Sequence, residues 1–270
     1  MKILAYLIWG ALGGCIIIGV LVFVYAHLRA TTKTRDNHTP VVETSPLTTF
    51  AGLNEKRWEQ LIKMFNLRGC SLPATAQERI AWAQEYLGIE PAWLAGEDVP
   101  MFPFLSFHNA VKDGVNYIRT LKHATSDAVL YVVKPRATLM VEEIMDACAV
   151  LCFATPVTYA GGSTWRYAPV NVYWEWGYPP ERVQCAQIIY TAMQAGVEIK
   201  GVEVEHEEIY ALVEGKHLPA TLLENPASSW DPRALASAGE DLAGVRKGML
   251  SAQELMETIS DCGREIEGKA

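Results

Sequence analysis

From Ile3 to Ala26 no charged side chain interrupts the chain. At about 1.5 Å of rise per helical residue, such a run covers the roughly 30 Å hydrocarbon core of a bilayer. The run therefore predicts a transmembrane helix, with residues 1–26 as an anchor. A cleaved signal peptide is the competing reading, but the run exceeds the usual apolar h-region and no small-x-small site follows it. Leu12, Gly13, Gly14 and Cys15 loosely imitate a lipobox. The chain stays apolar through Ile16, Ile17, Ile18 and on to Val24, where a lipoprotein would turn polar. The expected arrangement is an uncleaved, single-pass membrane protein whose first partner is the lipid bilayer.

Gly10 and Gly14 form a G-x-x-x-G spacing inside this run. Small residues four apart share a helix face and let a second backbone come close, so the pair is a candidate for homo-oligomerisation through the anchor. Plain compositional use of glycine in membrane helices yields the same spacing without pairing. Lys2 flanks one end, and Arg29, Lys33 and Arg35 flank the other. That charge count favours the cytoplasmic side for everything beyond the anchor.

Residues 27–52 are threonine-rich, contain Pro40 and Pro46 and show no apolar periodicity, which reads as a flexible linker. A linker of this length would give a reach of about 25 to 30 Å. What remains is enough for one large domain or two small ones around separate cores, and two are expected: a helical subdomain over 53–126 and an α+β domain over 127–214. A C-terminal loop and helix over 215–270 complete the expected organisation.

The formal net charge of -8 and pI of about 5.3 argue against a polyanionic partner such as nucleic acid. Six cysteines, at 15, 70, 148, 152, 185 and 262, lack the dense pairing of a disulfide scaffold and read as thiols.

In the helical subdomain, Trp58, Leu61, Ile62 and Phe65 follow the i, i+3, i+4, i+7 rule of an amphipathic helix. Thr75 and Glu78 form a capping box for a second helix, which Gly88 should stop. Pro91 then opens a helical turn. The segment RIAWAQEYLGIEPAWLAGED, within Leu72 to Asp98, resembles the last helices of phage-type helix-turn-helix repressor domains over about a tenth of the chain. The matching Leu87, Gly88, Ile89, Trp93 and Leu94 are residues that pack such a bundle rather than residues that read bases. A membrane-bound DNA-binding regulator is the function this resemblance implies. No counterpart to a groove-entering helix precedes the segment, so we weigh the likeness as shared helix-packing pattern.

After a further helix over 108–125, Ala128 to Lys134 reads as a buried strand. Thr138 should begin a helix with Val141, Ile144, Met145, Cys148 and Cys152 on its apolar stripe. Phe153 to Tyr159 and Tyr167 to Trp176 read as hairpin strands around the Gly161–Gly162 turn. Alternation in the second of these puts Val170, Val172, Trp174 and Trp176 on a core face. A helix from Pro180 to Gly196 and a strand from Val197 to Glu205 complete a βαββαβ order. That order predicts a ferredoxin-like, four-stranded antiparallel plait with both helices on one face. A helix near 206–214 and a last one capped by Ser251 and Glu254 should follow.

Three constellations could carry chemistry. Cys148 and Cys152, one helical turn apart, could ligate a metal or exchange a disulfide, but an apolar stripe makes them core residues. Glu203, Glu205, His206, Glu207 and Glu208 could hold a cation, but the run lacks the H-E-x-x-H spacing and reads as a solvated strand end. Trp165, Tyr167, Tyr173 and Tyr178 could form an interaction surface, since aromatic rings give large contact area at small entropic cost. The glycine pair at 161–162 is read as a turn rather than a phosphate cradle. No P-loop, G-x-G-x-x-G or local triad stands in a supporting context, so the expectation is no cofactor, no metal and no assignable catalytic residue. The reading that results is a membrane-anchored subunit that binds other protein subunits within a larger membrane complex. A membrane-bound enzyme or ligand sensor using the α+β domain is the alternative.

Overall fold

Val129, Leu130, Tyr131, Val132 and Val133 form an unbroken run of large, mostly β-branched or aromatic side chains, and all five are buried. A strand with no polar alternation must be covered on both faces. The computed structural model, which describes residues 52–136, 140, 147–216, 230–236, 250–251, 253–257 and 260, shows this covering. All of these residues lie in one unit, Thr49–Ala270. The anchor, with Gly10 and Gly14, and nearly all of the linker lie outside the described residues. Among the described residues no helix is long and apolar enough to cross a membrane.

The strands are β1 (Val129–Pro135), β2 (Cys148–Tyr159), β3 (Gly162–Pro169), the two-residue β4 (Trp174–Glu175) and β5 (Glu198–Val204). The helices are α1 (Glu55–Met64), α2 (Ala76–Trp82, prolonged by a π-turn at Ala83–Leu87), α3 (Pro91–Leu94), α4 (Val111–Ala124), α5 (Pro179–Gln194) and α6 (His206–Val213). A 3-10 turn follows at Pro232–Leu235. The protein is thus a mixed α+β fold built on a five-stranded sheet.

The strand order is β3-β2-β1-β5, with β4 on β2. β1 pairs antiparallel with β2 and parallel with β5. This corrects the ferredoxin-like expectation, whose sheet is antiparallel throughout. The cause lies at the start of β2. Residues 148–152 are strand, not the end of a helix, so Cys148 and Cys152 lie on one face of β2 instead of one helical stripe. β1 and β2 are antiparallel neighbours, which need no crossover. The parallel partner is reached only through α5. Most of the helix expected from Thr138 falls outside the described residues.

Alternation along the strands divides two helical layers. Val129, Tyr131 and Val133 of β1 join Cys148, Val150, Cys152 and Ala154 of β2 and Val202 and Val204 of β5. They pack with Trp58 and Leu61 of α1, Ile80 and Trp82 of α2, Trp93 and Leu94 of α3, and Ile209 and Leu212 of α6. The expected helical subdomain therefore shares a core with one face of the sheet. On the opposite face, Leu130, Val132, Leu151 and Phe153 meet Val115 and Ile118 of α4 and Ile188 and Ile189 of α5. Two helices on one face is thus corrected to helices on both.

The Asn54 side chain, a cap absent from the sequence reading, accepts from the amides of Lys56 and Arg57 at the start of α1. Other local signals fix boundaries as expected. The Thr75 hydroxyl accepts from the Glu78 amide while the Glu78 carboxylate accepts from that of Thr75. Gly88, at φ 72°, adopts the left-handed conformation that ends the helix. Leu87, Ile89, Trp93 and Leu94, four of the residues that carry the repressor likeness, are buried in the core. Pro156 is tolerated in the long β2 because pairing with β1 stops at Ala154, leaving that part of β2 at an edge. The expected strand from Tyr167 to Trp176 is two pieces, β3 starting five residues earlier than expected and β4, separated by 170–173. Val170, Val172, Trp174 and Trp176 are buried as alternation predicts.

α5 departs most from a simple amphipathic helix. Gln184, Gln187 and Thr191 are buried along with its apolar residues, since α4 lies on one side and C-terminal segments on another. Its buried amides are satisfied reciprocally, as burial requires. Gln187 donates to the Leu250 carbonyl at 2.6 Å and accepts from the Leu250 amide at 3.3 Å. Gln184 makes the same two-way contact with Asn109, at 3.1 and 2.9 Å. Residues 253–257 are helical, and the Ser251 hydroxyl accepts from the Glu254 amide as expected.

Candidate functional site

β1 and β5 are the one parallel pair among the described strands, and their carboxyl ends carry a buried ion pair. Lys134 and Glu203 are direct partners in the register. The Lys134 ammonium bonds the Glu203 carboxylate, with side chains only 8% and 16% exposed. Strand alternation puts both on the α4–α5 side, together with Gly201. Trp230 covers them, its ring centroid 5.5 Å from the Lys134 nitrogen. The Trp230 indole donates to the Val202 carbonyl at 3.2 Å and ties this cover to the β5 edge. Gly201 permits that approach, because a Cβ there would stand 2.0 Å from the Trp230 carbonyl oxygen. The reading of Glu203 as a solvated carboxylate is therefore corrected. Glu205, two residues on, is exposed and pairs with Arg136 at 3.2 Å.

A second cluster involves the start of α6. Glu205 and Glu208 cap this helix with a reciprocal box, so both carboxylates of that pair have structural work. The Tyr173 ring stacks on Tyr210, centroids 5.6 Å apart and planes 3° from parallel. His206 meets Tyr210 edge-on at 5.2 Å. Burial, followed by hydrogen bonds with Cys148 and Tyr210, pushes the Tyr173 phenol far above its ordinary range. Tyr210 itself is 51% exposed.

The four candidate aromatic residues do not share one surface. Tyr167 is buried, its ring 6.0 Å from Phe65, and is no contact residue. Trp165 is half-buried against the same core. Tyr173 is half-buried in the stack, and Tyr178, just before α5, is exposed. Cys148, Cys152 and Cys185 are buried and stand outside any disulfide, and Cys70 is half-buried. Burial pushes the Cys152 and Cys185 thiols well above their usual value. Among the described residues no group of three or more His, Cys, Asp or Glu side chains is placed to hold a metal ion.

Sequence reasoning missed both Tyr210 and Lys134. Tyr210 stands three residues after Glu207, on the outer stripe of α6, a spacing readable from the chain. Lys134 had no such signal, because its partner is fixed by the parallel pairing alone.

Fold and site define this chain as an α+β protein with a mixed sheet covered on both faces and a buried lysine–glutamate pair at the end of its parallel strands. Comparison with family models, with curated proteins and with solved structures found no match.

Proposed function

We propose that this chain is a membrane-anchored subunit that assembles with other proteins in a larger membrane complex. The observation that carries the reading is the uncharged run from Ile3 to Ala26, which would hold the α+β body close to one bilayer surface. Gly10 and Gly14 support pairing within lipid, and the linker supplies reach. The exposed Tyr210 and Tyr178 rings supply contact area of the kind protein interfaces use. The test is mild detergent extraction of native membranes followed by affinity purification through a C-terminal tag. Recovery in a discrete assembly with stoichiometric partners is expected. Recovery only as a monomer that turns over a substrate would overturn the proposal.

One observation favours the enzyme or sensor reading as a second choice. Open sheets bind ligands outside the carboxyl ends of parallel strands, where Lys134 and Glu203 stand. Under that reading Lys134→Met would abolish ligand binding while leaving the fold intact. Under the assembly reading the pair is structural, and the same change destabilises the fold.

A further inference from the structure

α6 presents an exposed aromatic ring, Tyr210, to solvent. Along α6, Glu207, Tyr210 and Glu214 follow i, i+3, i+7, which places them on one stripe, and all three are exposed. The ring of Tyr173 lies flat against one face of Tyr210 and backs it, while His206 meets the same ring edge-on, so the platform is the outward part of the Tyr210 ring. A strap beside it is pinned at both ends: the Met101 amide donates to the Gly215 carbonyl at 2.7 Å, and the Asn171 amide to that of Leu105 at 2.7 Å. Phe104, 49% exposed, sits on this strap.

The charge around the platform is one-sided. Glu205, Glu207, Glu208 and Glu214 lie on or beside α6, against Arg136 and Lys216, which pair with Glu205 and Glu214. A ring face attracts a cation through its quadrupole, and carboxylates nearby add to that attraction. The guanidinium is planar, weakly hydrated and stacks on aromatic faces, so it suits a flat tyrosine ring better than an ammonium does.

We propose that the Tyr173–Tyr210 platform is the docking surface for an arginine-bearing segment of a partner protein, stacked on Tyr210 and held by Glu207. This deepens the assembly reading and rests on it. The probes are a synthetic peptide with two arginines in an alanine–glycine background and its neutral citrulline counterpart, titrated against the full chain in nanodiscs. The arginine peptide should bind about ten-fold more tightly, the scale of one or two cation–π contacts. Glu207→Gln should remove most of that preference without unfolding the chain, and Tyr210→Leu, which keeps apolar bulk but gives up the stack on Tyr173, should remove most of it while lowering the thermal midpoint only slightly. Equal binding of the two peptides, or an arginine preference that survives both substitutions, would overturn the inference. A chain that purifies alone but prefers arginine would support this surface while sinking the assembly reading. A chain that purifies with partners but shows no preference would sink this surface alone.

Discussion

Lys134 and Glu203 face each other across the parallel strands β1 and β5 and close an ion pair beneath the indole of Trp230. Removing one partner strips the other of its ion pair in a site of low exposure. Lys134→Met should therefore destabilise the protein by about 3 to 5 kcal/mol. Adding Glu203→Leu should recover most of the loss, because an apolar pair of similar volume carries no desolvation cost. Thermal unfolding of the full chain in nanodiscs, followed by tryptophan fluorescence, measures both. A double variant no more stable than the single one would refute the pairing argument.

Gly201→Ala acts on the same region through space rather than charge. The new methyl would collide with the backbone of Trp230, not with a side chain that can swing away. A loss of about 1 to 3 kcal/mol is expected, together with faster hydrogen exchange over 230–236. Unchanged exchange there would mean that Trp230 does not cover β5.

Gln187 links α5 to the C-terminal segment by its two-way contact with Leu250. Gln187→Leu leaves the Leu250 amide and carbonyl without that partner, at a cost of about 1 to 3 kcal/mol. The Leu250 amide should lose its exchange protection, while amides of β1 keep theirs. Equal protection in both proteins would contradict the assigned contact.

Burial pushes the Glu90 carboxyl above its usual 4.5. The folded state then holds the proton more tightly than the unfolded chain, so this group lowers stability at neutral pH. The penalty fades as the pH falls through the raised value and is gone below 4.5, the unfolded value. Glu181 shifts the same way, chiefly from burial. Glu90→Gln should raise the unfolding temperature at pH 7, with the gain shrinking towards pH 4.5. A gain of equal size at both pH values would rule out this origin.

Thiol accessibility gives a separate check on the sheet. Among the described cysteines, Cys70 should be alkylated in the native protein, and Cys148, Cys152 and Cys185 only after unfolding. Peptide mapping after brief iodoacetamide treatment distinguishes them. Native-state labelling of Cys148 or Cys152 would contradict their place in the covered β2.

Much of the helical architecture could be read from the chain because its signals are local. Thr75 with Glu78, Gly88 and Pro91 act within one turn of themselves, so their positions in sequence suffice. The ferredoxin-like expectation failed at one ambiguous run. Cys148, Val150 and Cys152 satisfy a strand period of two, while Cys148 and Cys152 alone satisfy a helical spacing of four. The continuous apolar stretch from Ala147 to Ala154 was the better signal, since a strand covered on both faces shows no polar alternation. The site was less legible. Glu203 looked solvated because alternation reports which face a residue is on, not whether a distant Trp230 covers that face. Tyr167 looked available for contact for the same reason, until Phe65 of the helical region was found against it.

Alkaline carbonate extraction of native membranes, with the amino terminus of the extracted chain sequenced, tests most directly whether the opening run stays in the bilayer. The full-length chain should remain in the membrane pellet with residues 1–26 intact. Release into the supernatant, or a mature chain starting beyond Ala26, would contradict that placement.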